Sequence, residues 1–157
     1  MSISTMLALH PDADGGVNEA LALAARHAMF CAQMCTSCAD SCSAEAMGMR
    51  QCIRLCLDCA DICQTASRLM VRQTGRNAMI LRAMIELCAH ACEACAEECE
   101  RHDHEHCRLC AAMCRECAQD CRSALASVQY GWDASTKPRA AQSLGGSHPA
   151  MNDIACE

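Results

Sequence analysis

The apolar and polar positions of this chain sort into four long stretches of helical period. From Val17 to about Ala46 the sequence is rich in helix formers and free of proline, and Gly48 breaks it. A second stretch runs from about Arg50 to Gln73 and stops near Thr74-Gly75. A third begins after Asn77, a good N-cap, and reaches about Arg101; the fourth follows the turn His102–His106, with Asp103 as its cap, and runs to about Gln129 before Gly131. Gln33, Ser37, Asp40, Arg54, Asp58, Asp61, Glu86, Glu93, Glu97, Arg108, Arg115 and Gln119 fall on the opposite face and read as a solvated surface. The pattern predicts an all-α fold, an antiparallel up-down-up-down four-helix bundle with short loops. Residues 1–16 are expected to form an irregular N-terminal arm, 17–130 the bundle, and 131–157 a flexible C-terminal tail rich in Pro, Gly and small polar residues.

What occupies the inward positions sets this chain apart from an ordinary bundle. Sixteen of its eighteen cysteines fall into four copies of C-x3-C-x2-C-x3-C. The copies are Cys31/Cys35/Cys38/Cys42, Cys52/Cys56/Cys59/Cys63, Cys88/Cys92/Cys95/Cys99 and Cys110/Cys114/Cys117/Cys121, each carrying a C-x-x-C-A-x-x-C centre. Steps of 4-3-4 follow one helix face, so each copy is a stripe of thiols, and the adjacent alanine lets neighbouring backbones approach closely. Cys107 lies one step before the fourth stripe and reads as another inward thiol, whereas Cys156 falls in the tail.

Extending the stripes polarises the core. They continue through Ala28, Ala24, Leu21 and Val17, through Ala66 and Met70, through Ile85, Leu81 and Ala78, and through Ala124 and Val128. In an up-down-up-down bundle these apolar runs share one end, with Tyr130 and Trp132 expected to cover it. Met47, Met49 and the histidines His102, His104 and His106 fall at the other, cysteine-lined end, where they are candidate entrance ligands. His27 and His90 read as surface residues, and Met29, Met34, Met79, Met84 and Met113 as ordinary packing.

Composition narrows the chemistry. With one Phe, one Trp and one Tyr, the chain has no aromatic core and no base-stacking platform, and its net charge of -6 opposes a nucleic-acid or anionic-membrane partner. No apolar run is long enough to span a membrane, and the N-terminus lacks the basic region of an export signal, so a cytoplasmic location with reduced thiols is expected. Thiolates select soft ions. A Zn(II) held by four thiolates leaves a charge of -2, which is severely penalised when buried in quantity, whereas each Cu(I) replaces one thiol proton. Neighbouring stripe sulfurs can converge on a two-coordinate Cu(I), while zinc sites typically draw on C-x2-4-C turns rather than long seams. The residues therefore favour a non-enzymatic store for many Cu(I) ions over a metallothionein-like Zn/Cd buffer or a thiol redox protein.

The fourfold pattern over residues 17–130 resembles the copper storage protein family, and the lack of an export signal its cytosolic branch. That resemblance implies Cu(I) storage and detoxification within a four-helix bundle, copper entry at an end lined by His and Met, and assembly into a homotetramer.

Overall fold

The computed structural model describes residues 2–11, 13, 16–46, 48–72 and 77–128. Five helices follow in order: α1 (Ile3–Ala8), α2 (Glu19–Ala44), α3 (Arg50–Met70), α4 (Ala78–Cys99) and α5 (Glu105–Ser127). Helices α2 to α5 close into a four-membered ring in which each packs on its two neighbours. The N-terminal arm is not wholly irregular. Ser2 accepts a hydrogen bond from the Thr5 amide and thereby starts the six-residue helix α1, which touches α2 through Ser4 and Glu19.

Local chemistry sets the helix ends. Asn18 caps α2 by accepting from the Leu21 amide at 3.0 Å. Gly48, with φ +84°, supplies the left-handed residue that reverses the chain between α2 and α3. Asn77 stands at the N-cap of α4 as expected but makes no side-chain capping bond. Asp103 does not cap α5: that position belongs to His104, and Asp103 instead pairs with Arg108.

The core is thin because its residues are small. Alanines flanking the stripes, including Ala25, Ala32, Ala60, Ala89, Ala96, Ala111 and Ala118, are buried. At one end Leu21, Ala24, Ala28, Ala66, Met70, Leu81, Ile85 and Ala124 form the expected hydrocarbon plug. Side chains tie that end together. Asn18 and Ser127 hydrogen-bond to each other at 3.0–3.1 Å. Arg82 donates to the carbonyls of Leu125, at 2.7 Å, and Val128, closing the C-terminus of α5 against α4. Met34, Met84 and Met113 pack as expected, but Met29 and Met79 are exposed. His27 is half-buried and paired with Asp120 across α2 and α5, rather than free on the surface; His90 is exposed.

Candidate metal centre

Helical steps of four and three turn every stripe inward, and all seventeen described cysteines are buried and free of disulfides. Their sulfurs form one continuous column. Next to the hydrocarbon plug, Cys63 Sγ lies 3.4 Å from Cys92 and 3.6 Å from Cys88. At mid-height Cys35 is 3.5 Å from Cys114 and 3.7 Å from Cys110. The bundle is narrow enough for diagonal helices to meet, Cys31 reaching Cys92 at 3.9 Å and Cys35 reaching Cys95 at 4.0 Å. At the far end Cys52 is 3.6 Å from Cys99, and Cys42 is 3.7 Å from Cys52 and 3.9 Å from Cys107. Cys107 is thus an inward thiol, as its register predicts.

Several of these sulfurs gather into sets of four, such as Cys31/Cys59/Cys63/Cys92 and Cys35/Cys95/Cys110/Cys114, whose donor atoms all lie within 4.8 Å of one another. This corrects one expectation. A tetrahedral Zn–S bond of about 2.3 Å puts sulfurs about 3.8 Å apart, which these sets satisfy. Geometry therefore admits zinc, and discrimination falls to charge alone. Charge is decisive because the sets are contiguous and have no cation among them: one four-thiolate zinc site beside another would stack uncompensated negative charge in a dry interior.

The same argument bears on three thiols near the mouth of the empty column. Burial pushes the Cys42 and Cys52 thiols above their ordinary value, and burial with the neighbouring Cys38 raises Cys107 to about 12. Protonated thiols pack as small hydrophobes, and an incoming ion must displace their protons.

The mouth is where a polar donor joins the thiols. His106 Nδ1 lies 3.4 Å from Cys107 Sγ, 3.5 Å from Cys38 and 4.0 Å from Cys42, making a mixed nitrogen–sulfur set. Its imidazole is held above the ordinary value by the hydrogen bond to Cys38, with burial opposing and Glu45 adding to the rise. The other expected entrance residues divide. His104 stacks on His106, with ring centroids 5.3 Å apart, and turns Nδ1 to Glu45 at 3.2 Å. His102 faces away toward Glu98, with Nε2 3.3 Å from Oε1. Met49 is buried and lines a surface groove of about 340 Å³ with Cys42, Glu45, Gly48 and Arg50. Met47, Tyr130, Trp132, Cys156 and the tail 131–157 lie outside the described residues.

Two carboxylates at this end escaped the sequence reading. Glu98 is buried at 8% exposure and is shared by Arg101 and His102. Glu45 meets both His104 and His106. The signal for Glu45 was available: one three-residue step beyond Cys42 lands on it, as three-residue steps from Cys52 and Cys99 land on Met49 and His102.

Known proteins share this fold. The cytosolic copper storage protein of Streptomyces lividans loaded with ten copper equivalents superposes with a TM-score of 0.75 at 42% identity, covering 80% of this chain and 98% of that one. The same organism's protein with five coppers gives 0.67 at 45% identity, covering 69% and 93%. The Cu(I)-bound copper storage protein BsCsp3, of Bacillus subtilis, gives 0.59 at 37% identity, covering 64% and 93%. An uncharacterised cysteine-rich protein of Bacillus subtilis is 42% identical over 40 residues, and the chain spans only 37% of its length. A family model for copper storage proteins matches residues 17–126, the whole of the striped bundle up to Ala126. Stripe, column, fold and match agree, and the chain belongs to the copper storage protein family.

Proposed function

We propose that this protein stores Cu(I) in the cytosol as a thiolate-bridged array and releases it without chemical turnover. The observation that carries this reading is the core of seventeen buried thiols, fifteen of them joined in one run by sulfur–sulfur distances of 3.4–4.0 Å. Cys31, Cys35, Cys38, Cys42, Cys52, Cys56, Cys59, Cys63, Cys88, Cys92, Cys95, Cys99, Cys107, Cys110, Cys114, Cys117 and Cys121 bind and bridge the ions, and His106 serves the entrance with Met49 beside it. The related proteins described as copper-loaded, one of them with Cu(I), support the choice of ion, and the one described as cytosolic supports the location. Assembly into a homotetramer is supported by large apolar side chains left outside the bundle, among them Met29, Phe30, Leu57 and Leu109. Anaerobic titration of the fully reduced protein against a colorimetric Cu(I) chelator tests the reading. Capacity should approach the number of core thiols, and saturation at one or two ions would sink it.

A further inference from the structure

Glu45 is the group on which the two mouth histidines converge. His106 Nε2 lies 3.3 Å, and His104 Nδ1 3.2 Å, from the same oxygen, Oε1. An ionised carboxylate only accepts hydrogen bonds, so the nitrogen that each ring turns toward it carries the proton. The two rings use opposite nitrogens. In its neutral form His106 is thereby left with its lone pair on Nδ1, the atom 3.4 Å from Cys107 and 3.5 Å from Cys38. His104 is left with its lone pair on Nε2.

The carboxylate is itself well placed to hold this arrangement. Glu45 is the first residue beyond α2, in extended conformation, and its amide donates to the Cys42 carbonyl at 3.3 Å. It therefore hangs from the helix that supplies Cys38 and Cys42, while both histidines belong to the start of α5. Its side chain is about one-third exposed, at 34%, so the interaction sits at the rim rather than in the dry core. The stacked rings, 18° from parallel, make the two imidazoles a single unit resting on one oxygen.

The geometry points to Glu45 as a positioning residue for copper uptake: it locks His106 in the tautomer whose Nδ1 lone pair faces Cys38, Cys42 and Cys107. The inference rests on reading the thiol column as a Cu(I) store. Without the carboxylate the His106 ring loses its fixed orientation and added basicity as well as its single tautomer, and its Nδ1 lone pair no longer faces the thiols as an ion arrives. Carboxylates that orient a metal-binding histidine typically contribute about 10–100-fold in affinity or activity. Because the thiols beyond the mouth are untouched, the effect falls on the rate of loading and leaves final capacity alone.

The test combines kinetics with a readout that needs no copper. Full-length, reduced protein is mixed anaerobically with Cu(I) held by a weak chromophoric chelator, and loading is followed to its end point for wild type, E45Q, E45A and H106A. Circular dichroism of each variant checks that the bundle is intact. E45A is expected to load about 10–100-fold more slowly to the same capacity. E45Q, whose amide oxygen still accepts from Nε2–H, should stay close to wild type. In the metal-free protein, at a pH high enough to leave the ring neutral, imidazole 15N shifts should show His106 with Nε2 protonated and Nδ1 bare, and a tautomer mixture in E45A. Wild-type loading in E45A, E45Q as slow as E45A, or a wild-type His106 protonated on Nδ1 would each overturn the assignment. Failure of the storage reading is distinct: H106A loading at the wild-type rate removes the histidine entrance, and saturation of wild type at one or two ions removes the store, whereas the tautomer measurement judges Glu45 in either case.

Discussion

Proton release during loading distinguishes a neutral copper array from an anionic one. The empty column holds seventeen thiols, and burial holds Cys42, Cys52 and Cys107 near the mouth above the ordinary thiol value, Cys107 to about 12. Two extremes are possible for the first ions. If each Cu(I) were bound by two thiolates that bridge nothing else, each would release two protons, and every thiol would be ionised at half loading. Seventeen thiolates against about eight ions would leave the core with a charge near -9. One unpaired charge in such an interior costs several kcal/mol even after relaxation, and the idealised figure is about 20 kcal/mol, so a cluster of that size is untenable. Binding through one thiolate and one neutral thiol, with thiolates bridging as more ions arrive, keeps every stage close to neutral. The expected result is therefore about one proton per Cu(I) from the first addition to the last, with a total near seventeen. The assay is anaerobic titration at pH 7 in weakly buffered solution, with released acid read by back-titration. A slope of two that breaks to zero at half loading would refute the charge argument, and with it the basis for preferring Cu(I) over zinc.

Two further outcomes follow from the same core. Cys107 has a folded-state value of about 12 against an ordinary 9.0, and Cys42 and Cys52 shift in the same direction. A raised value means the protonated form is favoured by folding; this stability is fully present below about pH 9 and disappears as pH rises toward 12. Thermal unfolding of the metal-free protein should fall through that window while the copper-loaded protein, whose thiols are already deprotonated, changes little; equal slopes for both would count against it. In the hydrocarbon plug, Met70 is fully buried, so M70A should lower metal-free stability by about 2–5 kcal/mol in urea titration without altering copper capacity. A matching loss of capacity would mean that the plug and the column are not separate.

The bundle and its column were legible from the chain because both are written as period. Four stripes in one register name the inward face of four helices, and their apolar continuations identify the plug, down to Met70 and Ile85. What was not legible depends on which way single side chains turn once helices are in place. His102, His104 and His106 look equivalent in sequence, yet only His106 meets thiols, because Glu98 draws His102 aside and Glu45 takes His104. Asp103 has the chemistry of a cap but spends it on Arg108. His27 looks like a surface residue until α5 brings Asp120 against it, 93 residues later in the chain. Met29 and Met79 read as packing because methionine usually packs, and nothing local says that they face outward.

A store must hold its shape whether full or empty, and the two ends of this bundle divide that requirement. At the plug, hydrocarbon fills the core, Asn18 caps α2 and bonds Ser127, and Arg82 closes the last turn of α5. None of these contacts involves a thiol, so none changes when an ion arrives. At the mouth, α3 and α5 begin at Met49 and His104 with no side-chain capping bond, and Gly48 supplies the left-handed turn before α3. Uncapped helix ends open at lower free-energy cost than the interior. Two helices begin uncapped where ions must pass, against one at the plug, where α4 begins at Asn77, while protonated cysteines and alanines pack as small hydrophobes along the column. Amide exchange in the metal-free protein should accordingly be faster in the first turns of α3 and α5 than around Asn18 and Ser127, and copper should slow it most at the mouth, where thiol and imidazole contacts replace missing caps.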